Sequence, residues 1–104
     1  MDKSFEYHFD WDPSKARQNL IKHRVAFKEA VIVFRDANAV SMYDDEHSGE
    51  EDRWLTIGMN WSGKVFVVCH TFKAESRNRA YVRIISARKA TRKETEVYVR
   101  VKRS

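Results

Sequence analysis

Cysteine is almost absent from this chain. Cys69 is the only one, so no internal disulfide can form, and its neighbours in VFVVCHTF mark a buried thiol rather than a nucleophile. Proline occurs once and glycine three times, which excludes collagen-like and Pro/Gly-rich disordered classes. No apolar run approaches the ~18 residues of a membrane span, and Met1-Asp2-Lys3-Ser4 opens without a signal-peptide core. A cytoplasmic protein without membrane contact is expected. Acidic residues are scarce in the second half: residues 53–104 hold 3 Asp/Glu against 13 Lys/Arg, whereas residues 1–52 hold 12 against 7. The halves therefore carry +10 and −5, an asymmetry that suggests a polyanionic partner for the second half. With 42% hydrophobic and 34% charged residues, the 104-residue chain has the composition of a folded protein and the length of one domain, 1–104.

Periodicity divides the chain. FEYHFDWD puts Phe5, Tyr7, Phe9 and Trp11 on one face of a strand. Asp12-Pro13 then supplies an N-cap and a first-turn proline for a helix carrying Ala16, Leu20 and His23 on one side as far as Arg24. A second helix is expected in FKEAVIVFRD, where Phe27, Ala30, Val31 and Phe34 form a core-facing stripe. Four strands follow, NAVSMYD, RWLTIGMN, KVFVVCHTF and AYVRIISAR, the second and third joined by a tight Asn60–Gly63 turn. Thr91-Arg92-Lys93-Glu94 fits a capping box and opens a last helix that turns Val97, Tyr98 and Val101 inward. The order β-α-α-β-β-β-β-α predicts an α+β fold, an antiparallel sheet with helices packed on one face.

Cleavage of RNA by its own 2′-hydroxyl needs a proton acceptor, a proton donor for the leaving 5′-oxygen, and cations to stabilise the phosphorane; no metal or other cofactor is required. His70, at a strand end, is the best-placed imidazole, and its alternative is a hydrogen-bonded structural role. His23 and His8 read as packing or capping residues. Arg83 lies mid-strand among apolar neighbours and must meet solvent, a carboxylate or a phosphate. Strict alternation separates Arg83 from Arg88 onto opposite faces, unless the strand ends or bulges at Ser86. Arg53, opening its own strand, is a further phosphate candidate, and Lys89, Arg92 and Lys93 add electrostatic attraction. Tyr98 either packs on the sheet or sends its hydroxyl to the cationic surface. The acidic stretch DDEHSGEED, 44–52, has neither EF-hand spacing nor His-x-x-x-His; it reads as a solvated loop, with a metal-dependent hydrolase on Asp44, Asp45, Glu46 and His47 as the weaker alternative.

FDWDPSKARQNLIKH, VAFKEAVIVFRD, RWLTIG and VRIISARKATRKETEVY, taken in this order, resemble the BrnT-type toxins of BrnT/BrnA type II toxin-antitoxin modules. The resemblance spans about residues 5 to 98. Its signature positions here are Asp12, Lys15, Asn19, Lys22, His23, Phe27, Ala30, Phe34, Arg53, Gly58, Arg83, Ser86, Arg88, Glu94 and Tyr98, of which many must be structural. It implies a RelE-like fold, metal-independent endoribonuclease activity that arrests translation, and a cognate BrnA-like antitoxin with a ribbon-helix-helix domain. Operator DNA would be reached only through the antitoxin complex. It points to Arg53, Arg83, Arg88 and Tyr98 as site residues; the reading of the residues themselves adds His70 as a catalytic group and Lys89 and Arg92 as phosphate ligands. Two departures stand out: Arg24 replaces a glycine common in this family after Lys-His, and KAESRNRAY is a longer, more basic lead-in to the last strand. The alternative from another class is a non-catalytic nucleic-acid- or antitoxin-binding module.

Overall fold

The computed structural model describes residues 5–49 and 51–103. Helix α1, Pro13–His23, begins as its cap residues dictate: the Asp12 carboxylate accepts the Ser14 N–H at 2.8 Å, and Pro13 fills the first turn. It ends at Arg24, which adopts the left-handed conformation (φ 59°, ψ 31°) and donates its N–H to the Leu20 carbonyl at 2.9 Å. A β-carbon there costs roughly 1 to 2 kcal/mol, which explains why glycine suits this helix end. Ala16 packs against the core and His23 is half-buried, as the stripe predicts, but one member of it departs. Asn19 is buried, whereas Leu20 is half exposed.

The second helix is shorter than the sequence predicts. α2, Phe27–Ala30, makes one α-turn and tightens into a 3-10 stretch, Val31–Arg35. Three consecutive β-branched residues, Val31, Ile32 and Val33, disfavour continued α-helix, and the buried residues Phe27, Ala30 and Val33 recur every third position, the 3-10 repeat.

Six strands form one sheet: β1 Glu6–Asp10, β2 Val40–Tyr43, β3 Trp54–Met59, β4 Val65–His70, β5 Lys73–Ser76 and β6 Arg79–Lys89. Their order is β1-β6-β4-β3-β2, with β5 also paired to β6. α3, Arg92–Lys102, closes the described chain. Three expectations are corrected. The sheet is mixed, because β1 runs parallel to β6 (Phe9 opposite Val82, Asp10 opposite Arg83); almost the whole chain separates the two strands, so no hairpin dictates their direction. The KAESRNRAY segment is a β5–β6 hairpin rather than a loop, which adds a fifth strand to the run after the helices.

The third correction concerns the layers. Neighbours along β4 point opposite ways: Phe66 and Val68 join Phe27, Ala30 and Val33 in one core, whereas Val67 joins Ile57 and Tyr98 of α3 in another. Helical structure therefore covers both faces rather than one. Gly58 of β3 is required by the first of these contacts, since a β-carbon would stand 2.8 Å from that of Val33.

A bulge in β6 decides where its arginines point. The β4–β6 register steps from Cys69 opposite Ser86 to His70 opposite Ile84, leaving Ile85 as the extra residue. Val82, Ile84 and Ala87 consequently share one core, which alternation alone forbids. Arg88 moves to the face Arg83 already occupies.

Candidate functional site

β1 departs from β6 after Asp10, and α1 takes over its edge. The Asn19 side chain accepts the Ala87 N–H at 3.0 Å and donates to the Ala87 carbonyl at 2.8 Å, standing in for a strand partner, and also donates to the Val25 carbonyl at 2.9 Å. Where strand gives way to helix a cleft of about 260 Å³ opens, lined by Asp12, Lys15, Glu51, Arg53, Arg83, Ile84 and Ile85. A smaller depression of about 190 Å³ continues along α1, with Lys15, Lys22, His23 and Ser86 on its walls. Lys15, Arg53 and Arg83 thus meet from three distant parts of the chain. Arg83 is held by Glu51, both of whose carboxylate oxygens lie 2.6 Å from one guanidinium nitrogen.

Arg53 is fastened to the loop preceding β3. Its carbonyl accepts the Asp44 N–H at 2.9 Å, its N–H donates to the Ser48 hydroxyl at 2.9 Å, and that hydroxyl donates to the Asp44 carbonyl at 2.6 Å. Within this clamp the His47 Nδ1–H donates to the Asp44 carboxylate at 3.0 Å. His47, Gly49, Glu51 and Arg53 line a second cavity of about 620 Å³, which shares Glu51 and Arg53 with the first. Among the described residues no group of three or more His, Cys, Asp or Glu is arranged to hold a metal ion.

Arg88 does not reach this cleft's lining. It forks onto Glu94 at 2.7 and 2.9 Å, while Glu94 also accepts the Thr91 N–H at 2.8 Å and Thr91 accepts the Glu94 N–H at 3.1 Å. The guanidinium, aided by the capping bonds, holds the Glu94 carboxyl at about 2. Lys89 is exposed at the end of β6, and Arg92 stands nearly free in solvent with Glu96 3.8 Å away. Both lie outside the cleft, and by alternation along β6 Lys89 is on the face opposite Arg88.

His70 and Tyr98 are revised by their surroundings. Only 2% of His70 is exposed, and its ring packs edge-on against Phe34. The Thr71 carbonyl can only accept, which puts the ring proton on Nδ1 (2.7 Å); Nε2 then accepts from the Thr56 hydroxyl, also at 2.7 Å, which is itself bonded to Ser41. Burial pushes the imidazole's pKa down, favouring the neutral ring. Tyr98 is 1% exposed and donates to the Asp36 carboxylate at 2.6 Å. Burial, then that carboxylate, pushes the phenol up to about 12. Neither residue stands with Arg53 and Arg83. Burial likewise pushes the half-buried Cys69 thiol up, away from nucleophilic use.

The family model described as "Ribonuclease toxin, BrnT, of type II toxin-antitoxin system" matches residues 11–94. The chain belongs to the BrnT family. Its fold is similar to that of the Brucella abortus ribonuclease toxin BrnT in its crystal structure, with a TM-score of 0.56 and 18% identity over 86% of this chain and 100% of that one. No curated protein matches. BrnT proteins are ribonuclease toxins of type II toxin-antitoxin systems, so the family implies an antitoxin partner. No helix here is long and apolar enough to cross a membrane.

Lys15 belongs to the BrnT signature, and that membership was its sequence signal; only the structure brings it to the cleft. Glu51 had no such signal. It is one of six carboxylates in a run, and only its contact with Arg83 distinguishes it.

Proposed function

We propose that this BrnT-family chain is a metal-independent endoribonuclease that cleaves RNA through attack by the 2′-hydroxyl, leaving a 2′,3′-cyclic phosphate, and thereby arrests translation in the cytoplasm. The observation that carries this reading is the convergence of Lys15, Arg53 and Arg83 on one cleft. Three cations around a cavity of about 260 Å³ suit a phosphodiester, and Arg83 already pairs with a carboxylate there, an anion that a phosphate can replace. Arg53 and Lys15 position the scissile phosphate and Arg83 stabilises the phosphorane. Arg88 supports the strand end through Glu94, and Lys89 and Arg92 add general electrostatic attraction for the RNA backbone.

A cognate ribbon-helix-helix antitoxin is the partner, and operator DNA is contacted only through the complex. The RelE-like character of the nuclease follows from the same reading, with arginine and lysine around the cleft in place of a metal.

Purified protein incubated with RNA in excess chelator tests this. New ends carrying a 2′,3′-cyclic phosphate are expected, and Arg83→Ala or Arg53→Ala should slow their appearance by about 100-fold or more while leaving the protein folded. If high concentrations of the wild type yield no new ends, the chain is a binding module and this reading fails.

A further inference from the structure

The cations account for the phosphate and leave proton transfer without an owner, since His70 is sealed in the core and the Tyr98 hydroxyl is committed to Asp36. We infer that the proton carriers are Glu51 and His47, the first as general base for the 2′-hydroxyl and the second as general acid for the leaving 5′-oxygen. This rests on the ribonuclease reading above and deepens it.

Of the two carboxylates in the cleft, Asp12 is occupied as the α1 cap, whereas Glu51 pairs with the candidate phosphate ligand Arg83. Glu51 faces Arg83, so a phosphate arriving on the guanidinium is delivered beside a carboxylate that can accept a proton. His47 lies across the shared wall, lining the second cavity with the same Glu51 and Arg53. Its side chain is 62% exposed, whereas that of Asp44 is only 10% exposed. The largely covered Asp44 carboxylate accepts the Nδ1–H and fixes the ring, which leaves the Nε2 side with no partner among the described residues. Asp44 is in turn locked to Arg53 by the Ser48 clamp, so the imidazole is positioned relative to a phosphate ligand and not merely tethered to a loop.

The step balances. The 2′-oxygen gives its proton to the Glu51 carboxylate and forms the bond to phosphorus. The bond from phosphorus to the 5′-oxygen breaks, and that oxygen takes the Nε2 proton of imidazolium His47. Cyclic phosphate and a 5′-hydroxyl leave, and exchange with water restores both side chains. Arg83, freed from Glu51 as the carboxyl is protonated, turns fully to the phosphorane.

The test uses the full chain, a short RNA and the same RNA with sulfur in place of the bridging 5′-oxygen, both in excess chelator. His47→Ala should lower kcat on ordinary RNA by about 100- to 10,000-fold, with KM within about threefold and an unchanged unfolding midpoint, and added imidazole should restore part of the loss. On the sulfur substrate, whose leaving group needs no proton, His47→Ala should match the wild type, while Glu51→Gln should be slow on both. Asp44→Asn should slow ordinary RNA, and the Asp44→Asn/His47→Ala pair should be no slower than His47→Ala alone, as expected of a positioning residue. A wild type that leaves RNA intact removes the ribonuclease reading itself. A wild type that cleaves, beside folded His47→Ala and Glu51→Gln proteins at wild-type rates, overturns this assignment and spares that reading; a His47→Ala defect equal on both substrates also overturns it.

Discussion

The side-chain amide of Asn19 pairs with both backbone groups of Ala87, accepting its N–H at 3.0 Å and donating to its carbonyl at 2.8 Å. One residue of a helix thereby completes the edge of a strand at the point where β1 has left it.

Replacement of Asn19 by alanine leaves the Ala87 N–H and carbonyl and the Val25 carbonyl without this partner in a buried setting. The expected loss is about 2 to 4 kcal/mol, because an unsatisfied buried group costs more than a hydrogen bond contributes. Urea unfolding of Asn19→Ala measures it; a change under 0.5 kcal/mol, roughly the level of an ordinary surface substitution, would show that water replaces the amide.

Arg24→Gly acts in the opposite direction. The left-handed φ of 59° is unfavourable for arginine and free for glycine, so the variant should be more stable by about 0.5 to 1 kcal/mol after glycine's greater unfolded-state entropy is allowed for. A lower midpoint in thermal unfolding would mean that the arginine side chain contributes more than the backbone loses.

The bond between Arg88 and Glu94 predicts a pH dependence. Glu94 is depressed from 4.5 to about 2, so its stabilisation is fully present above pH 4.5 and is lost as pH falls toward 2. Both side chains are partly exposed, which screens the contribution to on the order of 1 kcal/mol. Stability curves for the wild type and Arg88→Ala should converge through this window; parallel curves would remove the linkage.

His70 titrates in the same sense. Its imidazole lies below 6.5 through burial, so the folded state gains from a neutral ring above pH 6.5 and loses that advantage on acidification. Nitrogen NMR should show an Nδ1–H tautomer whose titration midpoint lies below 6.5, and a midpoint at or above that value would contradict the buried arrangement.

Tyr98→Phe separates packing from chemistry. It deletes the 2.6 Å bond to Asp36, for an expected loss of about 1.5 to 3 kcal/mol, and should leave RNA cleavage within twofold of wild type. Loss of cleavage in a folded Tyr98→Phe protein would return the phenol to the reaction.

Short-range chemistry was legible from residue order. The Asp12-Pro13 start of α1, the Thr91–Glu94 box that opens α3, the Gly63 turn, β1's aromatic alternation and four of the five strands after it all rest on interactions within a few residues. The family signature was legible for the same reason, as a fixed spacing of residue types. The 3-10 turn after Ala30 was not, because its period-three burial differs from an α-helical stripe only once the partner surface is known.

Residue order therefore determined the local elements, the charge asymmetry and the BrnT membership of this chain. The tertiary structure alone decided which cations act together. An extra residue at Ile85 reverses the parity of β6 and brings Arg88 to the face of Arg83, yet Glu94 claims the one and Glu51, 32 residues from its partner, the other. It also turned His70 inward, because its parity on β4 follows Val68 and Phe66 into the core. Register and long-range pairing have no local signature: a one-residue shift in a strand exchanges its faces without changing the sequence pattern of either.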